Sequence, residues 1–320
     1  MNSNFWRAIF AGLLLLSGVI LAVTHFGELR HFLMLLGNLD ISWIVAALLF
    51  QLGTYLSLAL VWRMALNVYG LSYPLRMLVP LAVAKLFADQ AIPSGGISGI
   101  AFIVNAFRQR AIPGHVGMGV MLVSIISFYG AYVVVAATAI LVLWILHGIH
   151  QWIIIVTALF FMFALAVPGA ILLLKQWGRK DPPAWLAKIP VLSGILGFYA
   201  EAADSTLRNP ALLFWATCLE AVIFLLDTAT LWAMLHALGV DASLFVAFPC
   251  FVLASIVALL SLIPLGLGTF EATCTGMLVM LGVRLETAFA ATLLLRGFTL
   301  WLPMLPGLWL TRHAFQESAE

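Results

Sequence analysis

The chain has 320 residues, of which 64% are hydrophobic and only 9% are charged, and its mean hydropathy is +1.13. A soluble domain carries about 45–50% apolar and about 25% charged residues, so this composition excludes a water-soluble globular protein. The formal net charge of +2 also excludes a strongly basic nucleic-acid-binding protein.

Six segments are long and apolar enough to cross a membrane as helices, for which about 20 apolar residues are needed. In chain order they are 5–24, 43–66, 117–146, 152–174, 211–237 and 287–310. The first is an uncleaved helix rather than a signal peptide, because no convincing cleavage site follows it.

Two further apolar stretches are each interrupted by proline and glycine. The run 77–92 stops at Pro93, Gly95 and Gly96 before a short run at 100–107. The run 244–263 stops at Pro264-Leu265-Gly266-Leu267-Gly268 before 269–281. Because proline and clustered glycine break helices, each stretch predicts a helical hairpin, either re-entrant or made of two tilted crossings.

The predicted fold is therefore an all-α polytopic membrane protein, with about six full spans plus two hairpins in a single transmembrane domain, 1–320. Basic residues favour the cytoplasmic side. If both hairpins return to the side from which they enter, Arg30 and Arg284 fall outside, Lys85 and Arg296 lie within the membrane, and the other basic residues fall inside. This topology places both termini in the cytoplasm.

The same topology reveals an internal repeat of a span, a hairpin and a span, at 43–146 and 211–310, joined by a cytoplasmic connector at 175–210. A shift of 171 residues matches Pro93 with Pro264 and Gly95 with Gly266. Because the first unit starts outside and the second inside, the repeats are predicted to be inverted. Inverted repeats with broken helices indicate a secondary transporter.

Ionisable side chains within membrane segments are costly and usually functional. Two cations and four carboxylates are predicted at similar depth, and they suggest a shared polar cavity: Lys85, Arg296, Asp89, Glu220, Asp227 and Glu271. The carboxylates would balance the cations, and one such as Asp227 could carry a proton. The alternative is mutual ion pairing that only ties helices together.

The hairpin turns add a second feature of a binding site, namely helix N-termini. Helices that start after Gly95-Gly96 or Gly266-Leu267-Gly268 present unpaired N–H groups, which attract anions such as phosphate. The alternative is that these glycines only permit tight turns. Gly96-Ile97-Ser98-Gly99 also fits a short intramembrane serine protease pattern with His236 as base, but such patterns arise readily by chance. No catalytic residue, metal ligand set or cofactor motif is predicted.

At the hairpins the sequence resembles the flippase-like membrane domain of the lysylphosphatidylglycerol synthetase family. The resemblance is carried by 263–271, from Ile263 to Glu271, by Leu281-Gly282-Val283 and by Leu295-Arg296. It covers nearly the whole chain from about Trp43, and the soluble aminoacyl-transferase domain of the synthetases is absent from these residues. The resemblance implies a bacterial cytoplasmic (inner) membrane protein that moves lipid, with Glu271 and Arg296 at matching positions.

We therefore expect a lipid translocase that moves a polar or anionic phospholipid or an isoprenoid-linked lipid between leaflets, and not an enzyme. In this hypothesis Lys85 and Arg296 hold the headgroup phosphate. The expected partners are membrane lipids and a lipid-synthesis enzyme. Two alternatives stay open, a membrane-embedded enzyme that acts on lipid headgroups and a non-catalytic membrane partner of a lipid synthase.

Overall fold

The structure of the protein is a computed structural model that describes residues 37, 39–91, 97–147, 151–178, 209–261, 263–304 and 306–307. Within these ranges the secondary structure is helical, without strands. The predicted span 5–24, most of the connector 175–210 and the turn residues Pro93, Gly95 and Gly96 lie outside the described residues.

The described helices occur at the predicted spans and hairpin arms. They are α1 (Ile41–Val68), α2 (Leu75–Ala91), α3 (Ile97–Arg108), α4 (Gly114–His147), α5 (Gln151–Gly178), α6 (Pro210–Ala237), α7 (Leu244–Leu260), α8 (Thr269–Met280) and α9 (Leu285–Arg296). A 3-10 turn, Pro264–Gly266, separates α7 from α8, and a π-helical turn, Gly297–Trp301, continues α9.

Among the described helices, three starts are capped by side chains, which matters because backbone N–H groups in a membrane lack water as a partner. Asp40 accepts a hydrogen bond from the Ser42 amide at 2.9 Å before α1. Asn209 accepts from the Leu212 amide at 3.1 Å before α6, and Ser243 caps α7. These residues define where the apolar helices begin.

Four helices within the described residues are long and apolar enough to cross a membrane: Ile41–Val68, Gly114–Leu146, Pro210–Ala237 and Leu285–Met304. About a third of the most apolar stretch of the first two is buried, 33% in each. The exposed apolar side chains of α1 include Val45, Leu49, Leu52 and Leu56, which share one helical face. This face is suited to contact lipid.

Helix lengths recur between the two halves of the chain. Both α1 and α6 have 28 residues, both α2 and α7 have 17, and both α3 and α8 have 12. In α2 and α7 the sixth residue is a proline, Pro80 and Pro249. The same succession of elements therefore occurs twice.

The first helices of the two halves, α1 and α6, pack side by side and run antiparallel. The amide of Asp40, just before α1, donates to the carbonyl of Ala237 at the end of α6, at 3.1 Å. Gln51 in α1 contacts Asp227 in α6, ten residues before that end. As the chain advances along α1, its contacts move backwards along α6.

The ends of the α2–α3 hairpin lie side by side. The hydroxyl of Tyr73, before α2, donates to the carbonyl of Arg110, after α3, at 3.0 Å. Nearby, the rings of Trp62 in α1 and Phe107 in α3 meet edge to face, with centroids 6.0 Å apart. These contacts join the end of α1 to both ends of the hairpin.

Buried apolar residues form two clusters. One contains residues of α2 and α3 with the end of α1 and the starts of α4 and α6. The other contains residues of α5, α7, α8 and α9 with the rest of α4 and α6. In the second cluster α7 is buried over almost its whole middle, from Ala247 to Ala254. Each hairpin is thus held by its own apolar core.

We expect Gly53→Leu to destabilise the fold through the α1–α6 contact. A Cβ at Gly53 would lie 3.0 Å from Leu226 Cδ1, and overpacking of this kind costs about 1–3 kcal/mol. The melting temperature of the purified protein in detergent measures the effect. Gly276→Leu in α8 is the control, because a Cβ there meets nothing within 4 Å. An equal loss in both variants would contradict the prediction.

Candidate functional site

A cavity of about 140 Å³, lined by both polar and apolar side chains, lies between α1, α2, α6 and the π-helical turn. Its wall includes two of the ionisable residues predicted from sequence, Lys85 from α2 and Asp227 from α6. Uncharged residues complete it: Gln51, Thr54, Tyr55, Leu58, Ala82, Leu86, Ile223 and Thr299. The packing of α1 against both α2 and α6 brings the two charged residues to one space.

Asp227 is held by a neutral amide. Gln51 Nε2 donates to Asp227 Oδ1 at 2.8 Å and to Thr230 Oγ1 at 2.9 Å. An amide nitrogen has two hydrogens, so both are used here. Since Gln51 is buried, its amide fixes the carboxylate at the cavity wall.

Lys85 is paired with the other carboxylate of α2. Its Nζ lies 2.7 Å from Asp89 Oδ2, one helical turn away. Asp89 Oδ1 accepts a second hydrogen bond from the Gly99 amide at 2.9 Å. Asp89 therefore ties Lys85 to the first turn of α3, which is the returning arm of the hairpin.

Glu220 lies on α6 two turns before Asp227 and is buried. Its Oε1 accepts a hydrogen bond from Ser124 Oγ of α4 at 3.2 Å. Glu220 does not line the cavity. This contact therefore places Glu220 between α6 and α4, with a hydroxyl as its partner.

Glu271 and Arg296 form a second charged cluster, at the other hairpin. Arg296 Nε donates to Glu271 Oε1 at 2.7 Å, and Arg296 Nη2 donates to the Leu265 carbonyl at 2.6 Å. The Arg296 guanidinium carbon also lies 4.9 Å from the centre of the Phe270 ring. One arginine thus binds the turn and the first helical turn of α8.

The turn between α7 and α8 depends on left-handed backbone. Gly266 and Gly268 have φ of +60° and +84°, and Leu265 has φ of +61°, which is costly for a residue with a branched side chain. A Cβ on Gly266 would lie 2.5 Å from that of Ala258. The amide of Gly268 donates to Glu271 Oε2 at 2.6 Å. These glycines make a tight turn whose Gly268 amide is bound by a carboxylate of the same chain.

Five of the six predicted ionisable residues thus form two groups, and Glu220 belongs to neither. Lys85 and Asp227 line the cavity, and Asp89 contacts Lys85, whereas Glu271 and Arg296 pair with each other and do not line it. The link between the groups is Thr299, which lines the cavity three residues after Arg296. Pro264 starts the 3-10 turn between α7 and α8. The first hairpin turn is predicted at Pro93, Gly95 and Gly96, which lie outside the described residues.

Sequence reasoning missed the uncharged part of the site. Gln51, Thr54 and Tyr55 lie on one face of α1 and all line the cavity. Counted from the starts of α1 and α6, Gln51 and Glu220 hold the same position, whereas the shift of 171 residues seen in the sequence matches Gln51 with Val222. The correspondence therefore appears only once the helix starts are known.

Ser98 and His236 are engaged with other groups. The Ser98 hydroxyl donates to the Ala88 carbonyl at 2.9 Å. His236 lies near the end of α6 against the rings of Trp43 and Trp232, and its Nε2 is 3.4 Å from Asp241 Oδ1. Among the described residues no group of three His, Cys, Asp or Glu side chains could hold a metal ion.

Residues 9–307 match the family described as "Lysylphosphatidylglycerol synthase TM region". The chain belongs to this family. Membership indicates a membrane protein that acts on lipids, and together with the four candidate spans it makes this a multi-pass membrane protein. No curated protein matches the chain.

We expect Gln51 and Asp227 to be coupled in their contribution to stability, because their side chains share a hydrogen bond. Gln51→Leu leaves a part-buried carboxylate without its donor, which costs about 1–3 kcal/mol. In Gln51→Leu/Asp227→Leu neither group is left unpaired, so the double variant should lose less free energy of unfolding than the two single variants together. Equilibrium unfolding in detergent measures all three. Additive losses would contradict the pairing.

We expect Arg296→Lys to fail as a conservative replacement. Lysine can pair with Glu271 but cannot also present the planar fork that reaches the Leu265 carbonyl, so a loss of about 1–3 kcal/mol is expected. Thermal unfolding in detergent measures it. Arg284→Lys, at an exposed position before α9, is the matched control and should leave the melting temperature unchanged.

Proposed function

We propose that this protein is a lipid translocase, a transporter rather than an enzyme. It moves the headgroup of a polar or anionic phospholipid or an isoprenoid-linked lipid from one leaflet to the other. The observation that carries the proposal is the cavity wall, where Lys85 from the first half of the chain and Asp227 from the second half face one space.

The size of the cavity suits a headgroup rather than a whole lipid. Its volume of about 140 Å³ is close to that of an engineered cavity of about 150 Å³ that holds one benzene molecule. The acyl or prenyl tails would stay in the bilayer. The cavity therefore has to shield only the polar part, whose transfer through hydrocarbon is the costly step.

The charges of the cavity suit a phosphate-bearing headgroup. Lys85 would exchange its contact with Asp89 for the lipid phosphate, and Asp227 would accept hydrogen bonds from hydroxyl or amine groups of the same headgroup. Arg296 and Glu271, which pair outside the cavity, would act on the second hairpin. In this exchange Lys85 gains the phosphate as its ionic partner, and Asp89 keeps the hydrogen bond from the Gly99 amide.

The two halves of the chain act as inverted repeats in this proposal. Equal helix lengths in the two halves and the antiparallel course of α1 and α6 support it. Each hairpin would be re-entrant, and the adjacent ends of the α2–α3 hairpin, joined by Tyr73 and Arg110, support this for the first one. Such an arrangement places a substrate site near the midplane between the repeats.

The location follows from the same proposal. The protein resides in a bacterial cytoplasmic membrane with both termini on the cytoplasmic side, because this topology places most basic residues there. A lipid-synthesis enzyme on that side would supply the substrate. The competing functions, a headgroup-modifying enzyme and a non-catalytic partner of a lipid synthase, make different predictions in a reconstituted system.

Purified protein in liposomes with fluorescent phospholipids should equilibrate the label between leaflets, as followed by quenching of the outer leaflet. We expect Lys85→Ala and Asp227→Asn to slow translocation by about tenfold, the effect of losing one charged hydrogen bond. Arg296→Ala and Glu271→Gln should slow it as well.

Ile155→Ala in α5 is the control, because this side chain is exposed on the apolar surface and should leave the rate unchanged. Translocation at the parent rate in all four charge variants would refute the site. Covalent change of the lipid by the parent protein would favour the enzyme, and no translocation at all would favour the non-catalytic partner.

A further inference from the structure

We propose that Asp89 is the counterpart of Glu271 in the first hairpin and is the positioning residue that holds Lys85 at the cavity wall. The carboxylate that the second hairpin carries on its returning arm, α8, is carried by the first hairpin on its outgoing arm, α2. The part of this inference that concerns lipid movement rests on the proposed function, whereas the equivalence of the two carboxylates does not.

The two returning helices can be aligned residue by residue from their starts. Glu271 is the third residue of α8, which begins at Thr269. The third residue of α3, which begins at Ile97, is Gly99. Both helices have 12 residues. Counted from the helix starts, one residue away from the shift that matches Pro93 with Pro264, the first hairpin therefore has a glycine where the second has its carboxylate.

Asp89 makes the same two kinds of contact as Glu271. Each carboxylate accepts one hydrogen bond from an amide at the start of a returning helix, Gly99 for Asp89 and Gly268 for Glu271. Each uses its second oxygen for a cation at 2.7 Å, Lys85 for Asp89 and Arg296 for Glu271. The two hairpins thus share a carboxylate that bridges a helix start and a cation.

The space beside Gly99, where the second hairpin has the Glu271 side chain, is filled by the carboxylate of Asp89. A Cβ built on Gly99 would lie 2.2, 2.5 and 2.7 Å from the Asp89 atoms Oδ1, Cγ and Oδ2. Two carbon atoms joined through a third are about 2.5 Å apart, so a glutamate at position 99 could place its carboxyl carbon where that of Asp89 lies. A side chain at position 99 would therefore displace the Asp89 carboxylate from its present position.

The relocation has a consequence for Lys85. In the second hairpin the cation comes from α9, so the ion pair ties the hairpin to a different helix. In the first hairpin both charges lie on α2, one turn apart, and Lys85 faces the cavity. Asp89 therefore acts through Lys85, and its carboxylate fixes the ammonium beside the headgroup site.

The test moves the carboxylate from one arm to the other in the full chain. Asp89→Ala should translocate lipid about tenfold more slowly than the parent, because Lys85 loses a charged partner, and it should melt at a lower temperature. Asp89→Ala/Gly99→Glu should recover both properties. Asp89→Ala/Gly99→Gln has the same shape without the charge and should stay at the level of Asp89→Ala.

A further pair of variants separates positioning from general stabilisation. In a Lys85→Ala background, adding Asp89→Ala/Gly99→Glu should give no faster translocation than adding Asp89→Ala alone, because the cation on which the carboxylate acts is gone. Recovery with glutamine equal to that with glutamate, or parent-like properties of Asp89→Ala, would overturn the proposal.

The two readouts distinguish this inference from the proposed function. If the parent protein moves no lipid, the proposed function fails. The melting temperatures still decide the equivalence of Asp89 and Glu271, because a higher value with glutamate than with glutamine at position 99 supports it and equal values refute it.

Discussion

A charge held away from water must have a polar partner, and this constraint determines how the protein is built. Two arrangements meet it. At each hairpin a carboxylate binds both a cation and a backbone amide, and on α6 two carboxylates are bound by neutral side chains of neighbouring helices: Asp89 with Lys85, Glu271 with Arg296, Glu220 with Ser124 and Asp227 with Gln51. Each partner comes from a specific helix, so the charges also determine how the helices are arranged.

The antiparallel pair α1 and α6 is the centre of this arrangement. These helices have equal length and place Gln51 opposite Asp227. Because α2 packs against α1, it brings Lys85 to the same space. The cavity therefore combines groups from both halves of the chain, with its cation from the first half and its carboxylate from the second. Aligned by the spacing of α1 and α6, Lys85 corresponds to Ala254, so the second half has no equivalent cation.

The break between α7 and α8 could be predicted from sequence because it depends on local features, whereas the depth of the charged residues in the membrane stays a prediction. A proline with nearby glycines breaks a helix wherever it occurs, and the 3-10 turn at Pro264–Gly266 is found at that place. The pairing of Glu271 with Arg296 joins residues 25 positions apart, and it requires the left-handed turn at Leu265. Gln51 was not predicted because a single neutral amide hardly alters the apolar pattern of a span. Its importance appears only once α6 lies against it.

The repeated proline has a mechanical consequence. Pro80 and Pro249, each six residues into an outgoing arm, cannot donate to the carbonyls of Arg76 and Phe245 four residues earlier. Each arm therefore lacks one backbone hydrogen bond near its start. Helices kink most often at such a proline. A change in the direction of either arm at this point would break no further backbone hydrogen bond, because the bond that proline cannot make is already absent.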